Sequence, residues 1–256
     1  MFELNWYNED DNLINFYHSF YITKENKRTH DLNEASYCIK GAWDHNLEYE
    51  NIKNNLSFLK DCTVLDIGCQ EGFFTFLLDD LGADVTSMDC YDKITRRFAW
   101  KLFNYKGEFV HENVYQLGSS YNTYDYAWLS DVLVHLENPL YALENIRKVV
   151  DRGVLVVMDE IPDITPMESV WGDYDKENKA LPLMYQRDSD GKGEESTYFW
   201  LMPIETVISL LNRFFSNPRK IFSYKVGGRT ANVFLAEIDS SFKERGFLEL
   251  DWKRED

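Results

Sequence analysis

Residues 64–75, VLDIGCQEGFFT, are the stretch from which the rest of the chain is best understood. The segment 64–67 is apolar apart from Asp66 and includes β-branched residues, which predicts a buried strand. Gly68 and Gly72 bound a short turn, and apolar residues of 73–81 then recur at helical spacing. A strand, a glycine turn and a helix in this order bring backbone N–H groups and a helix N-terminus close to a ligand. We therefore expect a nucleotide-type site at this turn.

A second strand, predicted for residues 84–89, ends in Asp89. A carboxylate about twenty residues beyond a glycine turn can accept hydrogen bonds from the hydroxyl groups of a ribose. The turn lacks the glycine spacing of a dinucleotide fingerprint, and the carboxylates of Asp66 and Glu71 flank it. We expect these charges to repel a pyrophosphate and to favour a cationic ligand.

The turn resembles motif I of the class I S-adenosylmethionine-dependent methyltransferases, strand-Asp-x-Gly-x-Gly-x-Gly, with Cys69 at the middle glycine. S-adenosylmethionine carries a sulfonium and an amino group and has no phosphate. The family usually places an Asp and an apolar residue after the third strand, where this chain has Asn113 and Val114 to meet the adenine. The cofactor-binding residues that the resemblance implies are Asp66, Gly68, Cys69, Gln70, Gly72, Phe73, Asp89, Asn113, Val114, Ser130 and Asp131.

A second motif, SDVLVHLENP at residues 130–139, follows a predicted strand and resembles the family's post-strand segment. Its Asp131 is placed to bind the cofactor's amino group. His135 is a candidate general base because the ordinary pKa of histidine is near neutrality, although it could instead fix the turn. Asp159 and Glu160 end the next strand and are the other candidate catalytic groups. Their spacing does not specify a metal site, so none is predicted.

Strands and helices alternate along the middle of the chain, which implies parallel strands with right-handed crossovers. The predicted strands are 62–67, 84–89, 107–111, 124–129, 153–158, 219–226 and 230–238, and the predicted helices are 73–82, 92–105, 140–150 and 203–211. The resemblance implies that the last two strands form a hairpin. We predict an α/β fold with a Rossmann-like, seven-stranded, mostly parallel sheet containing one antiparallel strand, and with helices on both faces.

Three further segments surround this predicted methyltransferase domain, which spans residues 61–240. Residues 1–60 are interpreted as an N-terminal helical cap, because the apolar residues of 47–59 lie near helical spacing. Residues 161–202 are a long, aromatic-rich insertion that we interpret as a substrate lid, and residues 241–256 are a charged tail. The candidate substrate-binding residues are Tyr21, Arg28, Trp171, Tyr198 and Arg229, each of which could instead have a purely structural role.

The composition limits the class of partner. The chain has 256 residues and a net charge of −17, which makes it a poor nucleic-acid binder in the absence of a local basic patch. Its four cysteines form no CxxC pair, which favours reduced thiols and a cytoplasmic location. The sequence contains no signal peptide and no apolar run long enough to span a membrane. A small-molecule substrate is therefore expected, while the sequence does not indicate an oligomeric state.

The expected activity is O-methylation of a hydroxyl group on a sugar, a nucleotide-linked compound or a natural product. Residues 130–135 and the segment YFWLMP at 198–203 also resemble the tRNA wobble-uridine carboxymethyltransferase group. Those enzymes have a Tyr where this chain has Val134, and their N-terminal Lys has no clear counterpart here. The alternatives left open are an RNA-modifying enzyme, a non-catalytic protein with this fold, and an NAD-dependent dehydrogenase.

Overall fold

The computed structural model describes residues 1–7, 13–118, 122–159, 183–184 and 200–239. The described part of the N-terminal segment begins with short strands, so the predicted helical cap is wrong for most of residues 1–60. The strands are β1 (Phe2–Glu3), β2 (Phe16–His18), β3 (Phe20–Ile22), β4 (Arg28–Thr29), β5 (Tyr37–Ile39) and β6 (Gly41–Trp43). Aromatic and β-branched residues favour strands, and residues 16–22 are rich in them.

The helix expected near residues 47–59 is present as α1 (Tyr49–Asn55), with a 3-10 turn on either side. Ile52 and Leu56 are buried, whereas Leu47 is 70% exposed. Strands β1, β5, β3 and β4 form a four-stranded sheet, and β2 pairs with β6. We refer to residues 16–45 as the N-terminal layer.

The rest of the described chain alternates between strands and helices close to the predicted bounds. The elements are β7 (Thr63–Ile67), α2 (Phe73–Asp80), β8 (Asp84–Asp89), α3 (Ile94–Leu102), β9 (Glu108–His111), β10 (Tyr124–Ser130), α4 (Pro139–Val149), β11 (Val150–Asp159), β12 (Leu183–Met184), β13 (Trp200–Leu201), α5 (Ile204–Leu211), β14 (Ser216–Val226) and β15 (Arg229–Glu237).

The central sheet has seven strands in the order β14-β15-β11-β10-β7-β8-β9. The pairs from β11 to β9 are parallel, while β15 runs antiparallel to both of its neighbours. Gly227 and Gly228 join β14 to β15 with positive φ angles of 53° and 79°. Positive φ at both central residues is typical of the two-residue type I′ hairpin turn, which glycine adopts without strain. The mixed, mostly parallel sheet agrees with the sequence prediction.

Helices cover both faces of this sheet, since alternate strand residues enter two separate cores. Trp128 of β10 packs with α1, α2 and the N-terminal layer on one face. Its neighbour Leu129 packs with α4 and α5 on the other face. Both side chains are fully buried. The N-terminal layer therefore lies on the face of the sheet that α2 covers. Because the strands from β11 to β9 are parallel, their carboxyl ends lie at one edge of the sheet.

Among the described helices, none has the length and apolar character needed to cross a bilayer.

Candidate functional site

The turn after β7 is shaped by left-handed backbone conformations. Gly68 has φ +72° and Gly72 has φ +96°, and between them Gln70 adopts φ +52°. A Cβ atom on Gly68 would lie 2.6 Å from Cγ2 of Val132, the residue that follows Asp131. The glycine is thus required by close packing against the segment after β10 as well as by its backbone angle.

The backbone N–H groups of this turn are mostly used within the protein. Those of Gly68 and Cys69 donate to the Met88 carbonyl at 2.8 and 3.1 Å. The Gln70 N–H donates to Asp89 Oδ2 at 3.0 Å. These bonds fasten the turn to β8, so the expectation that the amides of the turn face a ligand does not hold for these three residues.

Asp66 is buried beneath the turn. Its carboxylate accepts a hydrogen bond from Thr75 Oγ1 at 2.6 Å, and that hydroxyl is also 2.9 Å from Ser87 Oγ. Burial raises the pKa of Asp66 to about 7, and the charge of nearby Asp89 acts in the same direction. The side chain joins β7, α2 and β8, and it carries only part of a negative charge near neutral pH.

Glu71 is directed towards the N-terminal layer. Its carboxylate accepts the Tyr17 N–H at 2.8 Å and lies 3.0 Å from Nδ1 of His18. Burial alone would raise the pKa of Glu71, but the hydrogen bonds from His18 and Tyr17 outweigh it and hold that pKa below its ordinary value. Both carboxylates thus have partners within the protein, and the prediction that they repel a phosphate stays a prediction.

Asp89 lies at the end of β8 with geometry that suits a ribose. Its two carboxylate oxygens accept the backbone N–H groups of Gln70 and of Tyr91, at 3.0 and 2.9 Å. A carboxylate offers about four acceptor positions, and the Cys90 thiol is a further partner, so about one remains for a ribose hydroxyl. Tyr91 is 67% exposed beside Asp89 and offers an aromatic face that the sequence analysis did not single out. The residues present therefore fit the ribose end of S-adenosylmethionine.

The other residues implied for the cofactor differ in their exposure and in their contacts. Asn113 is exposed, and its Oδ1 accepts the Tyr115 N–H at 3.0 Å, while Val114 is buried. Cys69 is buried, which raises the pKa of its thiol. The Phe73 ring is buried and stacks on His18 at 5.6 Å, so only the backbone of Phe73 can face the turn.

Two carboxylates meet at the ends of β10 and β11. Asp131 has φ +53°, and its Oδ1 accepts the Asp159 N–H at 3.3 Å. Burial, followed by the charge of Asp159, raises the pKa of Asp131 to about 7. Arg229 Nη1 donates to Asp159 Oδ2 at 2.9 Å, and its guanidinium lies 4.8 Å from the Trp43 ring centre. The structure thus unites Asp131, Asp159 and Arg229, and we call the first two the carboxylate pair.

Tyr224 and His45 also belong to this region, although no sequence pattern indicated them. Tyr224 lies on β14, and its ring is 5.8 Å from that of His45. Burial raises the pKa of Tyr224, with further contributions from Asp131 and Asp159. Burial lowers the pKa of His45, with a smaller effect from His18. The histidine and the tyrosine are both neutral at physiological pH.

His135 is half-buried on the 3-10 turn Leu133–His135, and Ser130 ends β10. Their predicted roles stay predictions. Glu160, Trp171 and Tyr198 lie outside the described residues, as do most of the predicted lid and the whole of the predicted tail.

Two candidate substrate residues have other partners. Arg28 Nη2 donates to Asp80 Oδ2 at 2.7 Å, in the last turn of α2 and away from the glycine turn at which that helix begins. The hydroxyl of Tyr21 donates to Asp44 Oδ2 at 2.5 Å, and Tyr21 is 4% exposed. Both side chains stabilise the N-terminal layer, and we remove them from the candidate substrate site.

Comparison with known proteins indicates a methyltransferase domain. The family described as "Methyltransferase domain" matches residues 65–158. The tRNA U34 carboxymethyltransferase of Helicobacter acinonychis (strain Sheeba) is 25% identical over 136 residues, which cover 51% of this chain and 52% of that protein. The enzyme of the same name from Helicobacter pylori (strain G27) is 28% identical over 126 residues, covering 46% and 48% of the two chains. The chain thus spans about half the length of the curated relatives it matches.

Solved structures share the fold. Magnesium protoporphyrin IX methyltransferase from Synechocystis, crystallised with S-adenosylhomocysteine, has a TM-score of 0.54 and 16% identity, covering 76% of this chain and 84% of that one. The 1,6-didemethyltoxoflavin-N1-methyltransferase of Burkholderia thailandensis, also crystallised with S-adenosylhomocysteine, has a TM-score of 0.52 and 16% identity, covering 75% and 85%.

Proposed function

Because residues 65–158 are a class I S-adenosylmethionine-dependent methyltransferase domain, we propose that the protein transfers the cofactor's methyl group to a hydroxyl group of a small polar molecule. The observation that carries this proposal is the carboxylate pair at the ends of β10 and β11. Ligands of open α/β sheets bind beyond the carboxyl ends of the strands, so Asp131 and Asp159 lie where an acceptor would be held.

The cofactor supplies an activated methyl group on a sulfonium, so the protein mainly has to align the acceptor and remove its proton. Alignment converts a bimolecular step into an effectively unimolecular one. A hydroxyl acceptor loses its proton as it attacks, and a general base works best when its pKa is near the operating pH. Asp131, with a pKa of about 7, meets that condition, and Asp159 beside it is held by Arg229.

Cofactor binding is proposed to use Asp89 for the ribose, Tyr91 and Val114 near the adenine, and the turn at 68–72 for the methionine part. The acceptor would lie between the carboxylate pair and the N-terminal layer. All four cysteines are free thiols, which suits the reducing cytoplasm that we propose as the location.

Modification of the wobble uridine of tRNA is the second candidate, because the curated relatives carry that name. A net charge of −17 weakens this candidate, since phosphate backbones are bound by Lys and Arg.

The proposal is tested with purified protein and S-adenosylmethionine bearing a tritiated methyl group. Hydroxylated sugars and phenols, matched amines, and unmodified tRNA serve as acceptors. We expect transfer to a hydroxyl compound, and a loss of roughly a hundredfold or more in rate for Asp131→Asn, as general base removal predicts. Asp159→Asn should also lower the rate. Calorimetry should show S-adenosylhomocysteine bound equally by wild type and Asp159→Asn. Glu144→Gln on the surface of α4 is the control with unchanged rate.

Transfer to amines alone would contradict the proposal. Transfer to tRNA, or a preference for carboxy-S-adenosylmethionine in calorimetry, would favour the second candidate.

A further inference from the structure

Two buried polar atoms close to the carboxylate pair have no hydrogen-bond partner among the described residues. They are Oη of Tyr224 and Nδ1 of His45. Tyr224 is 3% exposed and His45 is 5% exposed. Leaving a buried polar group unpaired costs about 1–3 kcal/mol, and these two differ from the other unpaired buried atoms of the described residues in lying beside Asp131 and Asp159.

Strand register places Tyr224 and Asp159 on one face of the sheet. Tyr224 pairs with Ala231 across β14 and β15, and Ala231 pairs with Asp159 across β15 and β11. Directly paired residues point to the same face, and strands are about 4.8 Å apart, so the Cα atoms of Tyr224 and Asp159 are separated by roughly 10 Å. The residue between them is Ala231, which is 1% exposed and separates the two longer side chains by only a methyl group.

The groups around this space suit an uncharged partner. Asp159 is already neutralised by Arg229, which packs on Trp43. Tyr224 and His45 are neutral, and each can exchange one hydrogen bond with a hydroxyl group. Phe74 contacts the His45 ring at 5.1 Å and adds an apolar wall. An anionic ligand such as a phosphate ester would meet the carboxylates of Asp131 and Asp159, where Arg229 is already paired with Asp159.

We propose that Tyr224, His45 and Asp159 form an acceptor subsite above Ala231, which recognises a hydroxyl group of a neutral, ring-shaped polyol or phenol. Tyr224 and His45 are its specificity-determining residues. This inference rests on the proposed function and names the substrate class of the same site. It also requires the N-terminal layer, which supplies His45, to be a wall of the substrate site.

The first test is stability. Tyr224→Phe removes an unpartnered hydroxyl, so its melting temperature should equal or exceed that of wild type. Tyr49→Phe is the matched control, because the Tyr49 hydroxyl donates to Asp80 at 2.8 Å and its removal should lower the melting temperature. A fall for Tyr224→Phe as large as that for Tyr49→Phe would show that the Tyr224 hydroxyl has a structural partner, and would overturn the proposal.

The second test is binding, in the presence of saturating S-adenosylhomocysteine. The probes are catechol, methyl α-D-glucopyranoside and D-glucose 6-phosphate, measured by saturation-transfer NMR and calorimetry. We expect a neutral probe to bind wild type and Tyr49→Phe alike, and to bind Tyr224→Phe roughly tenfold more weakly, the loss expected for one hydrogen bond. Ala231→Val, which adds two methyl groups between Tyr224 and Asp159, should also abolish binding of the probe. The phosphate should bind more weakly than the glucoside.

The proposal is overturned if no neutral probe binds at millimolar concentration, if the phosphate binds best, or if Tyr224→Phe binds the probes like wild type. These outcomes are separable from failure of the proposed function. If Tyr224→Phe methylated a hydroxyl compound at an undiminished rate, this inference would be contradicted and the proposed function would stand. If the probes bound as described but no hydroxyl compound was methylated, the proposed O-methylation would be contradicted and the subsite would stand.

Discussion

Glycine is needed at position 68 for two separate reasons, its left-handed backbone and the contact that a Cβ atom would make with Val132. Gly228 shares the first requirement, with φ +79°, but a Cβ atom there would meet nothing within 4 Å. Gly68→Ala should therefore lower the free energy of unfolding by more than Gly228→Ala, which carries only the backbone cost of about 1–3 kcal/mol. Urea unfolding of the two variants measures the difference. Equal losses would mean that Val132 moves aside without cost.

Asp89 combines attachment of the glycine turn with the proposed ribose contact. Asp89→Ala should weaken S-adenosylhomocysteine binding by roughly tenfold or more, since hydrogen bonds to a charged group contribute about 1.5–3 kcal/mol. Asp84→Ala, at the exposed opposite end of the same strand, is the control. Isothermal calorimetry gives both dissociation constants. The assignment of the ribose site fails if the two variants bind alike.

The N-terminal layer is fastened to α2 at both ends of that helix. Glu71 holds it beside the first turn, and Asp80 holds Arg28 in the last turn. Arg28→Ala should lower the free energy of unfolding by about 1–2 kcal/mol, because it removes a partly buried, charged hydrogen bond. Its dissociation constant for S-adenosylhomocysteine should not change. Lys27→Ala, at an exposed neighbouring residue, should alter neither quantity. A loss of cofactor affinity in Arg28→Ala alone would restore a role in the site for Arg28.

Periodicity was sufficient to predict the strands and helices of the central sheet, since each buries a continuous apolar face. The bounds of α2 and β8 differ from prediction by at most two residues. The same reasoning failed for residues 1–45, where strands of two or three residues are too short to establish a period. Their pairing depends on partners distant in sequence, such as β2 with β6.

Charge makes the stability of the whole molecule depend on pH. Asp66 ionises near 3.8 when unfolded, but burial raises its pKa to about 7 in the native protein. Between pH 4 and 7 the native state binds more protons than the unfolded state, so the free energy of unfolding falls as the pH rises. Asp66→Asn should remove this contribution, and its stability relative to wild type should increase from pH 4 to 7 and then level off. Chemical denaturation across that range measures the trend.

Asp80→Asn provides a control of opposite sign. Burial acts to raise the pKa of Asp80, but hydrogen bonding from His30 and the charge of Arg28 outweigh it and lower that pKa. Wild type therefore loses stability from this residue as the pH falls below about 4, whereas Asp80→Asn does not. For Asp66→Asn, a stability relative to wild type that did not change between pH 4 and 7 would mean that Asp66 is ionised in the native protein.

The strand–turn–helix–strand unit that carries Asp66, Gly68 and Asp89 could be predicted from sequence, and the roles of these residues in cofactor binding stay predictions. In the proposed acceptor subsite, Asp159 was predicted as a candidate from sequence, whereas His45 and Tyr224 were not. Strand pairing brings Tyr224 to the same face as Asp159, and a ring contact brings His45 to Tyr224. Arg229 was predicted as a candidate because it follows a glycine turn, whereas Tyr224 lies within a strand, where no sequence pattern distinguishes it.

The contact between Trp43 and Arg229 also has a consequence for biosynthesis. At about 5–20 residues per second, a ribosome adds Arg229 on the order of ten seconds or more after Trp43. During that interval the aromatic strands of the N-terminal layer have emerged, but the hairpin that covers them has not. A nascent chain stalled before β14 would therefore display to the surrounding chaperones the side of Trp43 that this hairpin covers.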